Sequence, residues 1–248
     1  MVAYRALAQL SDPFRTWRGL RALPWFFSDY RRYRKLAGAE AIAWSDLEPS
    51  LHERVGAHEL DAHYFFVNAW AMRRVIHARP ERHFDFASQT VLAAQISSVV
   101  PVTYVDYRPL NVQLNDLGSV AADLLNVPFL SGSLRSMSCL HVAEHVGLGR
   151  YGDPLDPAGT RKAAAELARV LAPGGNLFFA LPIGRARVAF NAHRVHAAST
   201  IVDYFADLEL LEYSGVGDDG RFVEHVAIDR FDRDEYACGM FWFKRRAS

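Results

Sequence analysis

The sequence predicts an α/β protein: a doubly wound, mostly parallel sheet of seven strands with an antiparallel last strand, preceded by an N-terminal helical extension. Strand-like and helix-like segments alternate from residue 82 to residue 216, the pattern of a parallel sheet with helices on both faces. The last two strand-like runs have no long helix between them, so they are expected to pair antiparallel at one edge. The division expected is 1–58 for the extension and 59–248 for the α/β domain.

Each element has its own signal. "LDAHYFFVNAWAMRRVIHA" (60–78) spaces its apolar residues helically and stops before Pro80. "RHFDFAS" (82–88) is a short strand closed by small residues, and "TVLAAQISSV" (90–99) is a helix. "PVTYVDYRP" (101–109) is a β-branched strand ending on Asp106, and "LRSMSCLHVAEH" (134–145) is an apolar strand running out into polar residues. "DPAGTRKAAAELARVLAPGG" (156–175) carries the clearest helical stripe, with Pro173-Gly174-Gly175 as its stop. "NLFFALPIG" (176–184) is a buried strand and "TIVDYFADL" a helix. "LELLEYSGV" (208–216) and "ACGMFWFKR" (237–245) are the closing strands.

Composition narrows the function classes. The 248 residues are 50% apolar, enough for one large domain with an appendage. Lys plus Arg and Asp plus Glu both number 28, so no global field favours nucleic acid. The two cysteines, Cys139 and Cys238, lie far apart in apolar surroundings and fit a reduced, cytoplasmic protein with both thiols in the core. No run approaches the roughly 20 apolar residues of a membrane span, and the N-terminus lacks a signal-peptide pattern. Charge is uneven, however. Residues 1–36 interleave Arg5, Arg15, Arg18, Arg21, Arg31, Arg32, Arg34 and Lys35 with large aromatics such as Tyr4, Phe14 and Trp17. Two roles fit this arm: lying on the anionic inner face of a membrane, or packing its aromatics on the core.

"HVAEHVGLGRYGDP" (141–154) matches two catalytic patterns. H-x-x-E-H, from His141, Glu144 and His145, needs a helix to bring both histidines to one metal. Here it follows a strand, where those histidines would stand about 13 Å apart, so no metal is expected. G-x-G-x-x-G, from Gly147, Gly149 and Gly152, needs its glycines to open a helix beneath a pyrophosphate. Pro154 and Pro157 intervene, so the glycines belong to a long loop. Neither a zinc hydrolase nor a dehydrogenase is expected.

In an open α/β sheet, ligands bind at the carboxyl ends of strands. Asp85 lies in the first strand here. Asp106 ends the second, where it can accept two ribose hydroxyls. Asp123 precedes the fourth, where it can take an adenine amine while Leu124 covers the ring. With these residues, the chain resembles the class I S-adenosylmethionine-dependent methyltransferases, whose sheet is Rossmann-like. The resemblance rests on "ADLLNVPF…SMSCLHVAEHV" and "ELARVLAPGGNLFFALP". A closer resemblance is to the domain-of-unknown-function family 268, methyltransferase-like proteins often encoded among surface-polysaccharide genes. It is carried by "HFDFAS", "VDYRPL", "EHVGLGRYGDPLDP", "RVLAPGG", "FNAHRV" and "ACGMFWFK", over about residues 60–248.

The resemblance implies S-adenosyl-L-methionine as cofactor, met by Asp85, Ala87, Ser88, Asp106, Asp123 and Leu124. It implies a hydroxyl of a glycan, sugar nucleotide or related polar acceptor as the methylated group. One departure stands out. Methyltransferases usually carry glycine after the first strand, whereas Asp85-Phe86-Ala87-Ser88-Gln89-Thr90 has none. A hydroxyl acceptor needs a base, and His145 with Glu144 as its orienting partner fits that role, with His193 as substitute. The same pair also fits a loop pin. Arg150, Tyr151, Asp153, Asn191 and Arg194 suit a phosphate-bearing acceptor, or ion pairs holding two loops together. The rival reading is a non-catalytic scaffold of the same fold that has lost its cofactor.

Overall fold

The computed structural model describes residues 12–54 and 60–247. The part of the basic, aromatic arm in residues 1–11, including Tyr4 and Arg5, lies outside the described residues. The chain forms two units, Met1–Leu60 and Asp61–Ser248.

In the first unit, helix α1 (Pro13–Tyr33) starts where Asp12 accepts hydrogen bonds from the Phe14 and Arg15 amides, with Pro13 in the first turn. A short 3₁₀ turn, Trp44–Asp46, follows. It places Trp44 in a stack with Phe27, ring centroids 6.1 Å apart. Arg54 sits over the Trp25 ring and pairs with Asp29 at 3.2 Å.

The second unit is built on ten strands: β1 (His83–Phe86), β2 (Val102–Asp106), β3 (Leu117–Ala121), β4 (Leu134–Leu140), β5 (Leu171–Ile183), β6 (Arg187–Ala189), β7 (His193–Val195), β8 (Glu209–Val216), β9 (Phe222–Val223) and β10 (Ala237–Lys244). Eight of them form one sheet in the order β3-β2-β1-β4-β5-β10-β8-β9, and β6 and β7 make a separate hairpin. The first five strands of that order run parallel. β10 inserts antiparallel between β5 and β8, and β9 adds a short edge. The antiparallel closure is thus as expected, although β10 lies inside the sheet and β9 makes an eighth strand.

Helices α2 (Ala62–Ala78) and α3 (Thr90–Ser97) cover one face; α4 (Gly159–Val170) and α5 (Ala198–Tyr204) cover the other. Alternation along β5 feeds both cores. Phe178 and Ala180 join Trp70, Leu92 and Ile96, while Phe179 and Leu181 join Leu167 and Ile201. Asp61 caps α2 by accepting from the Tyr64 amide, and Arg79 ends it in the left-handed region just before Pro80. α4 stops at Val170 rather than at Pro173. Leu171 is already extended, and Pro173-Gly174-Gly175 forms an irregularity in β5 opposite Leu134–Ser136. Pro173 in turn holds its own predecessor, Ala172, in extended backbone.

Candidate functional site

The parallel half of the sheet opens a cleft of about 160 Å³ at the carboxyl ends of β1 to β4, where open α/β sheets bind their ligands. Phe86 and Ala87 line it after β1, Asp106 and Arg108 after β2, and Asp123 and Leu124 after β3. His141, His145, Tyr151 and Asp153 close it after β4. A neighbouring groove shares Ala87, Asp106 and Arg108 and continues to Ser88 and Thr90.

The turn after β1 is built without glycine. Ala87 sits at φ 55°, the left-handed conformation that glycine takes without strain. Asp85 does not line the cleft. It is fully buried, accepting from the Ser88 amide at 3.0 Å and from the Ser138 hydroxyl. Burial raises its pKa to about 6. Ser88 accepts from the Leu140 amide at 3.2 Å, tying the turn to β4. The expected cofactor contact of Asp85 is therefore corrected: its carboxylate shapes the turn from below.

Asp106 accepts from the Arg108 amide at 2.9 Å and from the Tyr104 hydroxyl at 3.2 Å. A carboxylate has about four acceptor positions, so two remain. Asp123 accepts from the Leu125 amide at 2.8 Å and stands at the rim with Leu124 beside it.

Beyond β4 the chain turns instead of continuing as a strand, with His141 at φ 57°. The H-x-x-E-H residues thereby converge on one carboxylate. Glu144 Oε1 lies 3.2 Å from His141 Nδ1 and 3.7 Å from His145 Nε2. Glu144 is 1% exposed and is closer to His141 than to the histidine it was expected to orient. Burial alone would lower the His141 pKa, but Cys238 and Glu144 outweigh it and raise it to about 10. His145 Nδ1 lies 2.6 Å from the Ala192 carbonyl, and burial lowers its pKa. That contact puts the proton on Nδ1 and leaves Nε2 as the basic atom.

Gly147 serves the loop. At φ 80°, a Cβ there would stand 2.2 Å from the Asp156 carbonyl oxygen, whose residue's amide bonds back to Gly147. Both Asp153 oxygens accept from this loop, from the Gly147 and Tyr151 amides. Arg194 is 6% exposed and donates to the Val146 and Asp156 carbonyls. Its guanidinium ties the loop down, which corrects its assignment as an acceptor ligand. Asn191 is exposed on the β6–β7 hairpin and lies off the cleft. His193 packs at a tilt against Tyr236, ring centroids 4.9 Å apart, and does not line the cleft either. Arg150 donates to the Ala192 carbonyl at 3.0 Å. Two guanidiniums lie over the Tyr151 ring, Arg108 at 4.9 Å and Arg150 at 5.2 Å. Arg108 escaped the sequence reading; its only signal was its place two residues after Asp106.

A family model described as "Caenorhabditis protein of unknown function, DUF268" matches residues 130–228, from just before β4 to past β9. No curated protein matches the sequence. Among solved structures, the N-methyltransferase NodS from Bradyrhizobium japonicum WM9, in complex with S-adenosyl-L-homocysteine, aligns with a TM-score of 0.53 at 14% identity. That match covers 89% of this chain and 98% of that one. The [4+2]-cyclase SpnF aligns at 0.54 and 12% identity over 79% of this chain and 86% of that one. A putative methyltransferase from Bacillus halodurans C-125 aligns at 0.50 and 15% identity over 73% and 99%. At such identities the likeness is one of fold. The chain thus has the class I methyltransferase fold, and its residues 130–228 are similar to the DUF268 family of unknown function.

Proposed function

We propose that this protein is an S-adenosylmethionine-dependent methyltransferase acting on a hydroxyl of a glycan, sugar nucleotide or similar polar acceptor. The observation that carries the reading is the cleft at four consecutive strand ends, with Asp106 keeping two acceptor positions free above the Ala87 turn. Asp106 would hold the ribose, Asp123 and Leu124 the adenine, and the Ala87–Ser88 turn the methionine portion. The cofactor, when bound, supplies an electrophilic methyl group. The protein's own part is to align the acceptor, exclude water and take its proton.

His145 Nε2 is the atom assigned to that proton. Burial lowers its pKa and so favours the unprotonated imidazole, and the Ala192 carbonyl fixes its tautomer. Tyr151, which lines the cleft, and Arg150, whose guanidinium lies over its ring, are assigned to acceptor recognition. Asp153 is assigned to holding their loop. The glycan class rests on the family resemblance.

The rival is a scaffold with this fold and no cofactor. SpnF, named as a cyclase, illustrates that the fold does not dictate methyl transfer. Calorimetry separates the two: the enzyme binds S-adenosylmethionine and S-adenosylhomocysteine, the scaffold neither. Asp106→Ala is expected to weaken S-adenosylhomocysteine binding roughly 10- to 100-fold, the ~1.5–3 kcal/mol of hydrogen bonds to a charged group. Unchanged affinity in the folded variant would remove the ribose assignment. For the first unit, we infer peripheral contact with an anionic membrane surface, supported by exposed Phe14, Trp17 and Leu20 among arginines.

A further inference from the structure

Three residues distant in sequence meet behind the end of β4. His63 comes from the first turn of α2, His141 from the turn after β4, and Cys238 from the second position of β10. One ligand atom from each lies within 4.8 Å of the others. His141 Nε2 and Cys238 Sγ are 3.3 Å apart. Two donors on one tetrahedral zinc, at about 2.3 Å for sulfur and about 2.0–2.1 Å for nitrogen, stand roughly 3.3–3.6 Å apart. That pair is already at ligand spacing. Closing the third side requires an adjustment of roughly 1 Å by the half-buried His63.

The surroundings favour a cation over a bare thiol–imidazole contact. His141 presents Nε2 to the sulfur while its other nitrogen faces Glu144 at 3.2 Å. This is how a carboxylate fixes a metal-bound histidine from behind. Glu144 Oε2 is buried with no hydrogen-bond partner. An unpaired buried carboxylate oxygen is costly. One Zn²⁺, one thiolate and one carboxylate sum to zero charge. The rings are also held in place: His63 lies parallel to His141 at 5.9 Å and against Tyr236 at 5.2 Å, with Tyr64 on His141 at 5.1 Å.

We propose that His63, His141 and Cys238 form a zinc site, with Glu144 orienting His141 and the fourth tetrahedral position left open. A thiolate with two imidazoles selects a borderline-soft dication such as zinc over magnesium or calcium. Three protein ligands rather than four is the pattern of sites that keep a place for an exogenous group. Through His141 the metal would border the cleft. The proposal stands on ligand geometry and is independent of whether the cleft takes S-adenosylmethionine.

The test is metal binding by the full chain, stripped with chelator and titrated with Co²⁺ and then Zn²⁺. One Co²⁺ per chain is expected, with near-ultraviolet thiolate-to-cobalt charge transfer and the strong visible bands of a tetrahedral ion, all displaced by Zn²⁺. Cys238→Ser should lose the charge-transfer band. Because Cys238 is buried in the sheet and its replacement can unfold the chain, two further variants carry the test. His63→Ala, at a half-buried helix start, should weaken zinc at least 10-fold with unchanged circular dichroism. Glu144→Gln should weaken it about 10- to 100-fold. Wild-type chain without stoichiometric Co²⁺, or with Co²⁺ but no charge transfer, overturns the site, as does His63→Ala binding zinc as tightly as wild type.

Discussion

At the scale of single residues, Ala87 carries the sharpest tension between sequence and backbone. Its φ of 55° costs an L-residue roughly 1–2 kcal/mol relative to right-handed backbone. The turn holds because Asp85 and Ser88 brace it from the buried side. Ala87→Gly should therefore stabilise the fold by about 1 kcal/mol in urea unfolding, the glycine's larger unfolded-state entropy offsetting part of the gain. A loss of stability instead would mean that the Cβ packs more favourably than its backbone strains. His145 poses a different question, base or loop pin. As the base it contributes about 10²- to 10⁴-fold to turnover, so His145→Asn should lose that factor and keep S-adenosylhomocysteine affinity. As a pin through the Ala192 carbonyl, it would lower cofactor affinity too and make the 147–153 loop protease-sensitive. Wild-type turnover in His145→Asn excludes the base.

At the scale of elements, what was legible follows from burial. β5 and β10, covered on both faces, were readable as near-continuous apolar runs, and β1, β2, β4 and β8 as shorter apolar or β-branched stretches. β3 and β9 were not. They lie at the two edges of the sheet, half-exposed, and Leu117-Gly118-Ser119-Val120-Ala121 has neither an apolar run nor a clean alternation. Strand-end carboxylates were readable by position, and Asp106 and Asp123 do line the cleft. Which way a buried polar group faces was not readable. Asp85 and Arg194 have the chemistry of ligands, yet they spend it on the Ser88 amide and on the Val146 and Asp156 carbonyls. The meeting of His63, His141 and Cys238 was invisible for a related reason: it depends on β10 pairing Cys238 with Pro182 and Val216, which no local pattern encodes. Another such long-range lock joins α2 to β8. Arg74 and the Trp70 ring nitrogen both reach the buried Glu212 carboxylate, at 2.6 and 2.8 Å.

At the scale of the whole molecule, the cleft and the proposed zinc site belong to Asp61–Ser248, which leaves the first unit in need of its own role. No described helix is long and apolar enough to cross a membrane. α1 nonetheless leaves Phe14 67% and Trp17 54% exposed in its first turns, an expensive arrangement for a surface that meets only water. The arm of residues 1–36 carries eight basic residues, Arg5 included, against Asp12 and Asp29. Each basic side chain near an anionic surface contributes roughly 1 kcal/mol, falling off within a Debye length. Aromatics and arginines together would then hold the chain at an anionic membrane surface. The full chain should co-sediment with phosphatidylserine-containing vesicles at low salt, and much less at high salt or with phosphatidylcholine alone. Deleting residues 1–36 should abolish that binding and leave the melting temperature of the remaining protein nearly unchanged. If the deletion aggregates or melts much lower, the aromatics serve as a packing arm. Full-chain protein that ignores anionic vesicles excludes the membrane role directly.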